Sequence, residues 1–286
     1  MNPEWLRYFI TLSETRNFHA AAERLYVTPQ ALSKAIASLE DQLNVVLIER
    51  DRRVKGLTPA GEALLAEART VLRALENAER RMAECRDGQP RGPVTIAGDG
   101  LWHHYLLPPL LADLRRQFPD LRPKIYEMLP DDAEARVAGG EVEIGLLLRP
   151  PRREDLDWRE GVRTPYVIVG RPDGYGHRPW DDFAYIVPRF FRREMPESLD
   201  GWPEGKFPRR IAAEVELLET ALHLAEAGVG TAFVPELATR DRIARGTLAI
   251  VAEPPVAFAD QLYVVWRRDI RPTPAARSVL DALGAA

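Results

Sequence analysis

The first 58 positions carry apolar residues at helical spacing in three short runs with tight turns between them. The third run, TPQALSKAIASLE, is the most regular. At about 100° per residue, Leu32, Ile36, Leu39 and Leu43 fall within roughly 60° of one another and make one buried stripe. Gln30, Ser33, Lys34, Ala37, Ser38 and Asp41 fall on the opposite side, a face of small and weakly charged residues. Thr28 is placed to cap this helix, and Pro29 suits its first position, where a missing N–H costs nothing. The run before it, NFHAAAERLYV, has Asn17 as its cap and a small face of Ala21, Ala22 and Leu25. Only Tyr26 and Val27 separate the two helices, so the pair reads as a helix-turn-helix.

Residues 59–88 form one long segment rich in Ala, Leu, Glu and Arg. Within it Leu64, Ala68, Val71, Leu75, Ala78, Met82 and Cys85 alternate at spacings of four and three, the a/d pattern of a coiled-coil seam. At 1.5 Å per residue that seam is about 32 Å long, which predicts dimerisation through it. The alternative is packing against the chain's own domains. The sequence DGQPRGP then breaks the helix, with 89–93 as hinge. From Val94 onward short strand-like runs such as PVTIAG, VEIGLLL, PYVIVGR, AYIVP and QLYVVWR alternate with helical ones, the pattern of an α/β region with a mostly parallel sheet.

Composition narrows the function. The chain has 286 residues, 45% hydrophobic and 29% charged, with a formal net charge of −4. It is no polycation, so any nucleic-acid contact must use local basic groups. Residues 1–61 hold eight Lys and Arg against seven Asp and Glu, yet Arg50, Arg52, Arg53 and Lys55 all lie within six positions after the third helix. That concentration suits phosphate or minor-groove contact from a wing. A groove about 12 Å wide excludes a crowded helix face, so small residues let the backbone approach while Gln30, Ser33 and Lys34 reach bases or phosphates. The single cysteine, Cys85, excludes a disulfide framework and fits a reducing compartment. With no signal-like N-terminus and no long apolar run, a cytoplasmic protein without membrane contact is expected.

Residues 4–62 resemble the winged helix-turn-helix of LysR-type transcriptional regulators. The matching features, in order, are RYF, NFHAAAERLYVTPQALSKAIASLEDQLNVVLIER and LTPAGEALL. Looser likeness continues in YLLPPLLADLRRQFPDL, GGEVEIGLL and GVGTAFVPE. Three positions depart from the family pattern. Asn44 stands where glycine is usual, Ile48 where Phe is usual, and Pro29-Gln30 where Gln-Pro is common.

The resemblance implies an all-α winged helix-turn-helix domain (1–58), a linker and dimerisation helix (59–88), and an α/β effector domain (94–286). That last domain would resemble a periplasmic binding protein, with two Rossmann-like subdomains, one about 94–161 plus 263–286 and the other about 162–262. It also implies double-stranded operator DNA as partner, contacted through Thr28, Pro29, Gln30, Ser33, Lys34, Ser38, Arg50, Arg52, Arg53 and Lys55. Assembly would be a homodimer or homotetramer, seamed by Leu64, Ala68, Val71, Leu75, Ala78 and Met82. RNA polymerase would be a further partner if the protein activates.

Ligand clefts in open α/β sheets lie at the C-terminal ends of strands. The effector candidates are therefore Asp99, Gly100, Leu101, Trp102, His103, Arg149, Arg189, Phe190, Thr231 and Phe233, with Val234 beside them. Trp102 and Phe233 fit the core equally well, and Arg149 fits a surface ion pair. The adjacent His103 and His104 point in different directions on a helix, so no metal and no cofactor is expected. Asp99-Gly100 stands where the family commonly has a Ser or Thr that helps hold an effector carboxylate. Asp99 would repel a carboxylate unless Arg149 or Arg189 compensates, which leaves a neutral effector, an amine-bearing one, or none. Against an enzyme, the chain has no P-loop, GxGxxG or GxSxG motif and no cluster of metal ligands. A small-molecule-binding protein whose N-terminal domain serves only assembly is the alternative function.

Overall fold

The computed structural model describes residues 1–50, 54–87, 89–175, 178–188 and 201–285. Three helices open the chain: α1 (Pro3–Thr15), α2 (Phe18–Arg24) and α3 (Pro29–Leu43). Each starts at a side-chain cap. The Asn17 side chain accepts from the amides of His19 and Ala20 at 2.9 and 3.2 Å, and Thr28 Oγ1 accepts from Ala31 N at 3.2 Å. Asn44 closes α3 at φ 53°, the left-handed conformation that Asn tolerates better than most residues. Leu6, Phe9 and Leu12 of α1 pack with Ala21, Ala22, Leu32, Ile36 and Leu39 into one core.

The wing is a short antiparallel hairpin, β1 (Ile48–Arg50) with β2 (Val54–Leu57), so this domain is helical with a two-stranded appendage. Ile48, the departure from the usual Phe, is buried in the helical core. Glu40, near the end of α3, fixes the hairpin. Its buried Oε1 accepts from Leu47 N at 2.8 Å and Ile48 N at 3.2 Å. Gly61 is obligatory for close approach, because a Cβ there would lie 2.2 Å from the Leu47 carbonyl oxygen.

The linker helix α4 runs Pro59–Asp87. Its first turns belong to the N-terminal core, with Leu64, Ala68 and Leu72 packed with residues of α1. The later seam positions differ. Val71 is 47% and Met82 66% exposed, Ala78 is exposed, and Leu75 is half-buried. Cys85 lies on α4, but its side chain is outside the described residues.

The C-terminal half is one sheet ordered β4-β3-β5-β11-β6-β9-β7-β8, with β10 paired to β6. The strands are β3 (Gly92–Gly98), β4 (Leu121–Glu127), β5 (Ile144–Leu147), β6 (Leu156–Gly170), β7 (Ala184–Pro188), β8 (Arg210–Val215), β9 (Thr231–Pro235), β10 (Ala249–Ala252) and β11 (Ala259–Arg267). β3 runs parallel to β4 and β5, and β7 runs parallel to β8 and β9. The long strands β6 and β11 pair antiparallel with each other and join the two parallel sets. Helices cover the sheet: α5 (Gly100–Tyr105), α6 (Leu107–Gln117), α7 (Pro130–Ala138), α8 (Leu218–Glu226), α9 (Arg240–Ala244) and α10 (Pro274–Ala285). No helix among the described residues is long and apolar enough to cross a membrane.

Candidate DNA-binding face and effector cleft

In α3 the stripe Leu32, Ile36 and Leu39 is fully buried, and this rotates the other face outward. Thr28, Gln30 and Lys34 are exposed, and Pro29, Ser33 and Ser38 are half-buried. Lys34 forms no ion pair among the described residues. Lys55 is exposed on β2, and Arg50 ends β1. Arg52 and Arg53 lie outside the described residues, and so does the Arg50 side chain. One exposed residue next to α3 was not singled out by its sequence. Tyr26, in the turn before α3, is 95% exposed and adopts φ 56°. Tyrosine has no intrinsic preference for that conformation, so no local signal marks it.

The second site is a cavity of about 330 Å³ between the two parallel strand sets. Its walls sit at C-terminal strand ends, as the topology requires. Asp99, Gly100 and Leu101 follow β3, Glu127 ends β4, Leu148 follows β5, and Pro188 ends β7. Glu216 to Glu219 lead from β8 into α8, Pro235 ends β9, and Phe233 lies two residues before it. Tyr166 and Asp260 come from the crossing strands β6 and β11.

Asp99 caps α5, its Oδ1 accepting from Leu101 N at 2.8 Å. Burial pushes its carboxyl above the usual range. The Leu101 amide works against that rise, Glu127 adds to it, and His104 offsets it. Asp260 accepts a hydrogen bond from the Tyr166 hydroxyl at 2.9 Å. Burial raises its carboxyl to about 6 in spite of that bond, and the charge on Asp99 adds to the rise. Glu127 lies against Gly100, where a Cβ would come within 2.7 Å of Oε1. Among the described residues Glu219 is the cavity acid that pairs with an arginine: it accepts from Tyr105 Oη and from Arg242 Nη2, the latter at 2.8 Å. Tyr105 belongs to α5 and Glu219 to α8, so this bond joins opposite sides of the cleft.

The sequence-derived candidates divide. Asp99, Gly100, Leu101 and Phe233 line the cavity. Phe233 does so as its buried floor, its ring 5.0 Å from that of Tyr166. Trp102 and His103 turn into the core, with His103 pushed down to about 4 by burial and by neighbouring His104. It is His104 and Tyr105, one helical step on, that reach the cleft. Thr231 is buried, and its hydroxyl donates to the Ala184 carbonyl at 3.3 Å. Val234 is buried in the core. Arg149 pairs with Asp131 and, at 2.8 Å, with Glu134 of α7 rather than lining the cavity. Arg189 and Phe190 lie outside the described residues. Glu127, Tyr166, Glu216, Glu219 and Asp260 are cavity residues that the sequence did not announce.

Residues 3–62 match the family described as bacterial regulatory helix-turn-helix protein, lysR family, and residues 87–286 match the LysR substrate binding domain. The chain belongs to the LysR family of transcriptional regulators. Among its LysR-family relatives is the HTH-type transcriptional regulator IlvR of Caulobacter vibrioides, 30% identical over 94% of this chain and 93% of that one. Full-length CbnR, solved in complex with its target DNA, is similar over 99% of both chains with a TM-score of 0.66 and 24% identity. LysG of Corynebacterium glutamicum, solved with bound effector Arg, is similar over 100% of this chain and 97% of that one, with a TM-score of 0.62 and 18% identity. These two solved LysR regulators share the fold.

Proposed function

We propose that this LysR-type regulator reads an operator with the outer face of α3 and holds the flanking backbone with its wing. Occupancy of the cleft would change how the subunits sit on DNA. The observation that carries this is the α3 face itself: capped at Thr28, exposed at Gln30 and Lys34, and kept low by Ser33 and Ser38 so that it fits a major groove. Lys34 alone supplies little affinity, so Arg50, Arg52, Arg53 and Lys55 contribute phosphate contacts. Dimerisation doubles them. The exposed part of the α4 seam, Val71, Ala78 and Met82, supports a homodimer, and a tetramer would use further surfaces.

The role is regulatory rather than catalytic, in the cytoplasm, with RNA polymerase as a further partner where the protein activates. The effector acts by population shift between two arrangements of the dimer. A gel shift on the promoter beside the protein's own gene tests the reading. Ser33→Glu places a carboxylate on the face turned to DNA and should weaken specific binding by about a hundredfold or more, with the fold intact. Binding that is sequence-independent and indifferent to Ser33→Glu would overturn it and favour an N-terminal domain that serves assembly.

A further inference from the structure

We propose that the cleft takes an effector carrying a cationic nitrogen group on an apolar body, with the cation seated between Asp99 and Asp260. This inference rests on the reading of the cavity as the effector site. The walls carry five carboxylates and, among the described residues, no lysine or arginine. Arg242 serves Glu219 from behind the wall, and no such partner among the described residues serves Asp99 or Asp260. Among the described residues the only cationic group near this pair is the exposed imidazole of His104, beside Asp99. Two partly buried carboxylates with no lysine or arginine beside them are costly, and an ammonium, amidinium or guanidinium group relieves both at once.

The helix start that an anion would seek on this side is also occupied. The Leu101 amide, which a ligand carboxylate would seek, is already taken by Asp99. The opposite wall differs: Leu217, the residue before α8, supplies no side-chain cap, so the first amides of α8 suit a carboxylate on the far end of a zwitterion. The cation is therefore the required group, and an additional carboxylate is the open feature. A bare metal ion fits poorly, because no three acidic, imidazole or thiol groups among the described residues converge. Leu101, Leu148, Leu218 and Phe233 supply apolar wall for an organic body, and the volume suits a small one.

Calorimetric titration of the full-length protein at pH 8 tests this with four probes: phenethylamine, phenylalanine, 1,5-diaminopentane and 3-phenylpropionate. At least one of the first three should bind, and 3-phenylpropionate should bind at least tenfold more weakly. Binding of phenethylamine identifies a simple amine, whereas binding of phenylalanine alone identifies a zwitterion; both support the cation. Asp99→Asn keeps the helix cap and Asp260→Asn keeps an acceptor for Tyr166. Each should weaken the preferred cation tenfold or more, and the double variant should gain affinity for 3-phenylpropionate.

Preference of the unaltered protein for 3-phenylpropionate, or no binding of any cation at 10 mM, would overturn the proposal whatever the variants do. A promoter gel shift run in parallel separates the two readings. Specific DNA binding with a carboxylate-preferring cleft overturns only the charge assignment. Cation binding without specific DNA binding overturns only the regulator reading.

Discussion

Two carboxylates, Glu40 buried in the N-terminal domain and Asp260 half-buried in the cleft, have opposite roles. Glu40 in the N-terminal domain is 8% exposed and accepts two backbone N–H groups, those of Leu47 and Ile48. Asp260 in the cleft accepts one tyrosine hydroxyl, and burial raises its carboxyl to about 6. The first is a structural clasp between α3 and the wing. The second is held at a cost that the fold does not recover by itself. The contrast separates a helical domain whose buried acid is satisfied by backbone amides from a cavity whose acid keeps a single hydroxyl donor.

The comparison breaks most visibly at Glu40. Glu40→Ala leaves two buried amides without an acceptor and should destabilise the N-terminal domain by about 3 kcal/mol, read as a lowered denaturation midpoint. Asp260→Asn should do the reverse at neutral pH. A carboxyl raised in the native state binds more protons than its unfolded counterpart between about pH 4 and 6. The stability it lends is present at low pH and lost as pH rises through about 6. Relative to the unaltered protein, Asp260→Asn should therefore gain roughly 2 kcal/mol on going from pH 4 to pH 8. A pH-independent difference between the two thermal denaturation curves would contradict the account. Smaller again is Tyr105→Phe, which removes the bond from α5 to Glu219 across the cleft while Arg242 still serves Glu219. A loss of about 1 kcal/mol is expected, with faster amide exchange in α8.

The two halves also differed in how much their sequence revealed. The helix-turn-helix is built from local relations: Thr28 caps three residues on, and Leu32, Ile36 and Leu39 recur within three turns. Asn44 could be assigned its left-handed cap because its tolerance of that conformation is intrinsic. The cleft is built from relations between residues 94 positions apart, as Tyr166 and Asp260 are, or more. Asp99 and Asp260 share a cavity only because β3 and β11 lie in one sheet, and no periodicity marks Asp260. The six-residue α5 is too short for a pattern to set its phase, so Trp102 and His103 read as cleft residues when His104 and Tyr105 hold that place. The heptad on α4 read as one continuous seam, yet Leu64 and Ala68 serve the chain's own core because α1 lies against them.

The central claim is that the outer face of α3 reads base sequence. It is tested most directly by selecting binding sites from a random duplex library with the unaltered protein and with Gln30→Ala. The account predicts that preference relaxes at one base position in each half-site, by about 1–3 kcal/mol, with the remaining positions unchanged. An identical profile for the two proteins, or a uniform weakening across all sequences, would contradict it.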